Sequence, residues 1–191
     1  VSNDAPTQFP KGDTVVTWTV TDIHGNSSTC TQTVTVVDNE APTITCPENI
    51  VVDNDAGECG AVVDYTVDYD DNCPGATIEQ IAGLASGSQF PVGTTTNTFR
   101  VTDPAGNTAQ CSFNVTVNDT ENPTITCPND VTVYTDAGLC YATNVDLGTP
   151  ITDDNCDVAS VSNDAPTQFP KGDTVVTWTV TDIHGNSSTC T

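Results

Sequence analysis

Residues 97–117 read NTFRVTDPAGNTAQCSFNVTV, and this stretch decides the fold. Its centre, DPAGN at 103–107, combines Pro, Gly and Asn, which interrupt strands and favour turns. The runs at 97–102 and 110–117 flank that turn and predict a hairpin. A matching stretch lies at 9–26, where apolar residues alternate with threonines, namely Val16, Trp18 and Val20 with Thr17 and Thr19. Alternation with a period of two predicts an antiparallel strand with one buried face.

Further strands are predicted ahead of that hairpin, over 42–52, 61–67 and 76–83, and the first is interrupted near Cys46-Pro47. About seven short strands within roughly 80 residues, separated by regular turn signals, are typical of an immunoglobulin-like sandwich. The composition agrees, because Val and Thr dominate, Leu occurs three times and Met never. Such β-branched residues favour strands over helices. The sequence therefore predicts an all-β chain.

The chain repeats itself at two levels. Residues 1–31 recur without a change as residues 161–191. A weaker repeat recurs at about half the distance that separates those two copies, since APTITCP at 41–47 returns as NPTITCP at 122–128. Repeats of fixed period stack so that each contacts mainly its neighbours. The sequence therefore predicts an extended array of sandwich modules of roughly 80 residues, in two alternating types.

The repeats also set the module boundaries. A complete first module is predicted at 41–118, and a second module at 122–191 lacks its last strand, the equivalent of QTVTVV at 32–37. Residues 1–37 then form the C-terminal half of a further module. Two interpretations remain open: a slice of one continuous array, or separate chains in which 32–37 of one completes 122–191 of another. An intact mass equal to that of one 191-residue chain indicates the second.

The charge balance excludes several classes of partner. The chain has 26 acidic and three basic residues, for a net charge of −23. So few Lys and Arg residues cannot neutralise phosphates, which excludes DNA, RNA and anionic membrane surfaces. No apolar run approaches the roughly 20 residues of a membrane span, so we expect no membrane insertion. Nine cysteines in such a chain predict an oxidising compartment, at the cell surface or outside the cell.

Five motifs resemble those of a hyalin repeat (HYR) module. In the first module they are TCP at 45–47, DAGEC at 55–59, DNC at 71–73, FPVGTT at 90–95 and VTDPAGNTAQCSFNVTV at 101–117. The second module carries TCP, DAGLC, DNC, FPKGDT and VTDIHGNSSTC at matching places. The resemblance covers essentially the whole chain. It implies extracellular immunoglobulin-like domains in tandem arrays, associated with adhesion, without enzymatic activity and without one defined ligand.

Each module contains four cysteines, which allow three pairings. The resemblance implies that the cysteine of the TCP motif pairs with that of the final strand, which leaves the other two for each other. The expected bonds are Cys46–Cys111, Cys59–Cys73, Cys127–Cys190 and Cys140–Cys156. Cys30 occupies the place of Cys190, so its expected partner lies outside this sequence. A zinc site is disfavoured, because the chain has no CxxC motif and only two histidines.

Aspartates outnumber glutamates by 21 to 5 and concentrate in linkers, loops and hairpin turns. In an immunoglobulin-like sandwich the linker, one loop and the last hairpin turn share an end, so their oxygens converge. Oxygen ligands of this kind predict Ca²⁺ at the junctions. The linkers are reminiscent of cadherin calcium linkers, although their spacing differs. The expected ligands are Asp38, Glu40, Asp71, Asn72 and Asp103 at one junction, and Asp119, Glu121, Asp154, Asn155 and Asp182, with Asp53 and Asp55 facing them, at the next.

A second interpretation of these aspartates remains open, in which they only cap turns. Other residues have predicted structural places: Trp18 and Phe99 in the core, and His24 and His184 in exposed turns. No catalytic arrangement is supported, because both histidines lie in turns and the cysteines are committed to disulfides. Sequons, which permit N-glycans, occur at Asn26, Asn114, Asn118 and Asn186.

Together these features predict a structural repeat of an extracellular filament or of a giant surface adhesin stalk. Disulfides and junctional Ca²⁺ rigidify it, and its partners are further copies of the same repeat, in one chain or head to tail. The alternative is an adhesion module that recognises glycan or protein through exposed loops. The 31 identical residues at each end favour the structural repeat, since no distinct loop or exposed aromatic cluster sets one module apart.

Overall fold

A computed structural model describes residues 1–191, and every regular element in it is a β-strand. The chain is therefore all-β, and it contains no helix of the length and hydrophobicity that a bilayer crossing requires. The first three strands form one antiparallel sheet in the order β1-β2-β3: β1 (Ser2–Asn3), β2 (Gly12–Thr21) and β3 (Ser27–Val36). The alternation of apolar residues with Thr predicted β2 as an antiparallel strand, and β2 pairs with β3 in register from Gly12 opposite Val36 to Thr21 opposite Ser27.

The first module contains eight strands. They are β4 (Thr43–Thr45), β5 (Ile50–Asp53), β6 (Gly60–Val63), β7 (Asp68–Asp70), β8 (Thr77–Ala82), β9 (Ser88–Pro91), β10 (Gly93–Thr102) and β11 (Thr108–Asn118). Four of them form a sheet in the order β5-β11-β10-β8, while β4 pairs with β7 and β6 with β9. Strand β5 is parallel to the end of β11, with Ile50 opposite Val115. The break between β4 and β5 lies at Cys46-Pro47, as the sequence predicted.

The second module contains seven shorter strands. They are β12 (Thr124–Thr126), β13 (Tyr141–Ala142), β14 (Ile151–Asp153), β15 (Val158–Asn163), β16 (Phe169–Pro170), β17 (Trp178–Asp182) and β18 (Ser187–Cys190). They form the sheet β15-β17-β18 and the pairs β12-β14 and β13-β16. Residues 127–140 contain no strand. The equivalent of β5 is therefore absent, because no final strand lies beside it.

The chain divides into two compact units. The first comprises Val1–Cys46, Val67–Ile81 and Thr98–Ser112, and the second comprises Pro47–Thr66, Ala82–Asn97 and Phe113–Thr191. Buried side chains of the first are Val16, Phe99 and Val101, and those of the second include Phe90, Phe113, Val115, Val117 and Val180. The Tyr65 ring packs edge-on against Phe113, with ring centroids 4.9 Å apart. Each unit thus has its own apolar centre, made of the inward residues of alternating strands.

Trp18 lies outside the core, contrary to the sequence prediction. Its side chain is 37% exposed, whereas Phe99, at the matching place in the first module, is buried. The Trp18 indole N–H donates to the Gln32 side chain over 3.0 Å. Val16 is the one buried residue of β2, and Val20 is exposed like Trp18, so most of the predicted inward face of this strand is uncovered.

Three disulfides cross-link the chain. The structure joins Cys46 to Cys111 and Cys127 to Cys190, each pair with Cα atoms 5.8 Å apart. The expected Cys59–Cys73 and Cys140–Cys156 bonds do not form. Cys59 instead joins Cys156 of the second module, with Cα atoms 4.7 Å apart. Three cysteines are free thiols, namely Cys30, Cys73 and Cys140.

Candidate functional site

The last hairpin of each module has a turn whose first aspartate accepts hydrogen bonds from the other residues of the turn. One Asp182 carboxylate oxygen accepts from the backbone N–H groups of His184, Gly185 and Asn186, at 2.8, 2.6 and 2.9 Å. The other accepts from the Asn186 side-chain amide at 2.8 Å. Gly185, with φ 99°, adopts the left-handed conformation that favours glycine. The pattern D-x-x-G-N therefore folds the turn around a carboxylate.

The same arrangement holds Asp103 in the first module, where Asn107 donates both its backbone and its side-chain N–H at 2.7 Å. Burial opposes ionisation of Asp103 and Asp182. Hydrogen bonds from the turn residues outweigh that cost, so the pKa of each carboxyl lies below its ordinary value. Both side chains are therefore carboxylates at neutral pH, and both are buried.

The first carboxylate cluster consists of Asp38, Asp71 and Asp103, with carboxylate oxygens within 4.8 Å of one another. Asp38 comes from the linker after β3, Asp71 from the loop after β7, and Asp103 from the hairpin turn. One Asp71 oxygen is buried and has no hydrogen-bond partner. Lys11 Nζ lies 3.0 Å from an Asp38 oxygen, and this hydrogen bond helps to hold the pKa of Asp38 below its usual range.

The second carboxylate cluster consists of Asp119, Asp154 and Asp182, with oxygens equally close. They come from the linker after β11, the loop after β14 and the hairpin turn after β17, the same three places. An oxygen of Asp154 and the amide oxygen of Asn155 are buried without a partner. His184 Nδ1 lies 2.8 Å from an Asp119 oxygen. In each cluster a side chain able to carry positive charge thus lies on the linker aspartate.

The donor set fits a hard divalent cation. Three carboxylates this close repel one another unless a cation lies among them, and the unpartnered oxygens are the remaining acceptors. Oxygen-only ligands suit Ca²⁺ or Mg²⁺ rather than zinc. A further grouping of Asp119, Cys156 and His184 is not a ligand set, because the Cys156 sulfur is bonded to Cys59.

Several expected ligands lie elsewhere. Glu40 and Asp53 are exposed and belong to neither cluster, and Asn72 is also exposed. Asp55 accepts from the backbone N–H of Val62 at 2.9 Å and so closes its own turn. The Glu121 carboxylate accepts from the N–H of Gly57 at 2.8 Å, so it fastens the linker to that turn. Sequence reasoning missed Lys11, Asn107, His184 and Asn186, although the repeated D-x-x-G-N pattern marks the two asparagines.

The junction between the modules explains why Cys59 pairs with Cys156. The turn at 54–58 is held by the second module's linker and loop: Thr120 N–H donates to the Asn54 side chain at 3.0 Å. The Asn155 amide donates to the Glu58 carbonyl at 3.1 Å. The second of these hydrogen bonds joins the residues that directly precede the two cysteines, so it holds Cys156 beside Cys59.

The sequons lie in different settings. The side-chain nitrogens of Asn26 and Asn186 donate to the aspartate of their own hairpin turns at 2.8 Å. That nitrogen is the atom that would carry a glycan. Asn114 accepts from the Thr96 hydroxyl at 2.8 Å, whereas Asn118 is exposed. N-glycosylation at these positions stays a prediction.

The family model for the HYR domain matches residues 37–117 and 118–191. The chain is 35% identical over 189 residues to hyalin of Strongylocentrotus purpuratus, which covers 94% of this chain and 16% of that protein. It is 34% identical over 185 residues to hyalin of Lytechinus variegatus, which covers 93% and 35%. The chain thus spans about a third or less of these relatives. Among solved structures, extracellular cadherin domains 1–5 of protocadherin gamma B2 align at 14% identity and TM-score 0.40, covering 93% of this chain and 43% of that one.

Proposed function

This chain belongs to the HYR domain family, and we propose that it is a non-enzymatic repeat segment of an extracellular filament or surface adhesin stalk whose module junctions bind Ca²⁺. The observation that supports the proposal is the recurrence of one carboxylate cluster at two linkers, each with a buried unpartnered aspartate oxygen. Aspartates that only capped turns would not need to converge across linker, loop and hairpin. Three disulfides suit an oxidising compartment.

The cation links three segments that are distant in sequence. In the second cluster Asp119, Asp154 and Asp182 would supply its protein oxygens, and the Asn155 amide oxygen is a further candidate. Binding neutralises the mutual repulsion of the carboxylates and fixes the linker to the loop and the turn. Lys11 and His184 each contact one oxygen of a linker aspartate, so they compete with the cation for that oxygen. A linker fixed in this way is a stiff spacer.

Calcium binding is tested by titration calorimetry on the whole chain. We expect two sites for the wild type, one at each cluster, and the loss of one site in D71N and of the other in D154N. A free calcium concentration of 100 Kd is expected to add about 2.7 kcal/mol to the stability of the folded chain, since the unfolded chain has no such cluster. Chelation reverses that gain.

The matched control for these variants is Asp13→Asn, an exposed aspartate on β2 outside both clusters. It should retain both sites with unchanged affinity. No calcium heat at millimolar concentration, or equal binding by D71N, D154N and wild type, would show that the aspartates serve only their turns. A Mg²⁺ titration identifies the preferred ion, because the smaller ion demands tighter octahedral geometry.

We also propose that a segment with the sequence of residues 32–37, from a further copy, completes the second module. A groove of about 650 Å³ lies along residues 127–135 and is lined by Val131, Val133, Phe169, Val176 and Trp178. In the first module this place is filled by the end of β11, parallel to β5. Because residues 1–31 equal 161–191, the segment that follows Thr31 in sequence, residues 32–37, is the natural occupant.

Appending QTVTVV after Thr191 is expected to raise the free energy of unfolding by about 3 kcal/mol, since two valines enter the groove and a ladder of hydrogen bonds forms. Urea unfolding of the extended and original chains measures the difference. The control appends QTDTDV, which places charge where the valines would be buried. Equal stability of the three chains would mean that the groove takes another occupant.

A further inference from the structure

The Cys59–Cys156 bond joins two kinds of cysteine that every module carries. Cys59 ends the DAGEC turn of the first module, and Cys156 ends the DNC loop of the second. Their equivalents are Cys140, which ends the DAGLC turn, and Cys73, which ends the other DNC loop, and both are free thiols. We propose that Cys140 forms this same bond with Cys73 of the next copy of the chain in series. Every junction then carries a covalent bond.

The turn that holds Cys140 already has the geometry of its bonded counterpart. Leu139 N–H donates to the Asp136 carbonyl at 2.9 Å, as Glu58 N–H donates to the Asp55 carbonyl at 2.9 Å. The carbonyls of the two cysteines also accept equivalent hydrogen bonds. Lys171 N–H donates to the Cys140 carbonyl, and Val92 N–H donates to the Cys59 carbonyl. Cys140 is exposed on this turn, so its thiol is accessible to a neighbour.

The loop that holds Cys73 is likewise preformed. The Cys73 backbone N–H donates to an Asp71 carboxylate oxygen at 3.2 Å, and the Cys156 backbone N–H donates to an Asp154 carboxylate oxygen at 3.0 Å. Asp71 belongs to the first carboxylate cluster and Asp154 to the second. The two loops share the sequence DDNC and the same hydrogen bond, and each contributes an aspartate to its carboxylate cluster. We therefore expect both cysteines to face the same kind of junction.

Cys30 differs from these two thiols. It lies on β3 opposite Trp18, at the place that Cys190 occupies opposite Trp178. Cys190 bonds Cys127 within its own module, so the expected partner of Cys30 is a TCP cysteine rather than a turn or loop cysteine. Cys30 therefore serves as a control for nonspecific oxidation.

The bond forms by oxidation of two thiols. The Cys140 thiolate attacks a disulfide oxidant such as oxidised glutathione and releases one glutathione thiolate. The Cys73 thiolate of the next copy then attacks the Cys140 sulfur of the mixed disulfide and releases the second. The two protein thiols lose two protons and two electrons, and the oxidant is reduced to two thiols.

The test uses two copies in series, made as residues 1–160 followed by residues 1–191. The join leaves the local sequence unchanged, because residues 1–31 equal 161–191. After refolding with oxidised glutathione, we expect non-reducing peptide mapping to find Cys140 of the first copy bonded to Cys73 of the second. Cys30 of the second copy takes the Cys190 role, so alkylation under denaturing conditions counts three free thiols, as in the single chain. Without the proposed bond it counts two more.

Matched variants locate the bond, since the two copies carry the same loop. Cys73→Ser in the second copy is expected to abolish the linked peptide and to free Cys140 of the first copy. The same substitution in the first copy leaves the linked peptide intact. The proposal is overturned if both thiols stay free, if Cys73 maps to Cys59, or if alkylation counts fewer than three free thiols, because Cys30 of the first copy is then oxidised as readily as Cys140.

This inference rests on the proposed function only for the serial order of copies, and calcium has no part in it. Refolding is therefore run with calcium and with chelator. A linked peptide in both arms, from a chain that shows no calcium heat, would refute the calcium junction and leave the disulfide standing. Two calcium sites with free Cys140 and Cys73 would do the reverse.

Discussion

A C59S/C156S double variant is expected to lose about 3 kcal/mol of unfolding free energy, one of the two largest effects we anticipate for any substitution. Cys59 and Cys156 are 97 residues apart in sequence, so their bond removes much chain entropy from the unfolded state. The entropy model assigns about 4.7 kcal/mol to a loop near 100 residues, and the other two bridges shorten the effective loop. Urea unfolding under non-reducing conditions measures the loss.

Both cysteines are replaced together so that no new free thiol exchanges with its neighbours. The matched control is C73S/C140S, which removes two thiols that are free in a single chain and should leave its stability unchanged. A double variant at Cys59 and Cys156 as stable as the wild type would show that the hydrogen bonds of Asn54, Glu58 and Glu121 hold the junction by themselves.

Asp182→Asn is expected to cost about 3 kcal/mol of folding stability even in the absence of calcium. The amide has one oxygen in place of two, so its nitrogen faces the Asn186 side-chain donor over the 2.8 Å that the hydrogen bond spans. Two donors then oppose each other in a partly buried turn, and the charge that strengthens the three backbone hydrogen bonds is lost. Thermal and urea unfolding in a chelating buffer give the difference.

The control is Asp22→Asn in the equivalent turn of residues 1–37, where Asp22 accepts the matching hydrogen bonds from His24 and Asn26 but is exposed. Water can replace the lost partners there, so the effect should be much smaller. Equal effects of the two substitutions would mean that burial at the junction adds nothing to the turn.

Acid provides a second readout of Asp182. Its pKa is lower in the folded chain than its ordinary value, so its ionisation stabilises the fold fully above the unfolded pKa of about 3.9. That stabilisation is lost as the pH falls from there through the folded pKa. The difference between wild type and D182N should therefore shrink over this range. A constant difference would place the effect in packing rather than in charge.

Local pattern predicted much of this molecule. Alternation of apolar residues with Thr predicted β2, the DPAGN turn predicted the hairpin of β10 and β11, and the break at Cys46-Pro47 separated β4 from β5, because these signals depend on neighbouring residues. The aspartates of the clusters recur at fixed places in each module, and this recurrence marked them as candidate ligands. Lys11 and His184 were not found, since their pairing with a linker aspartate depends on side chains 27 and 65 residues distant.

The number of cysteines could not predict the partner of Cys59. Four cysteines per module can all be paired within each module, and they can equally be paired with two bonds running between neighbouring modules. The two pairing patterns are distinguished by the contact between the turn at 54–58 and the next linker and loop. That contact consists of hydrogen bonds of Asn54, Gly57 and Glu58, which no repeating sequence pattern predicts. The exposure of Trp18 had a similar origin, because burial depends on the layer that covers a strand.

The two bridges within modules determine how the chain responds to a pulling force. A load applied through residues on either side passes from Cys46 directly to Cys111 and from Cys127 directly to Cys190. The segments between these cysteines carry no tension while the sulfurs are joined, even if their strands melt. Under load, only residues 1–46 and the short stretch from Cys111 to Cys127 can unfold and extend. The contour length of the stretched chain is thus a fraction of its full length, and reduction of the disulfides releases the rest.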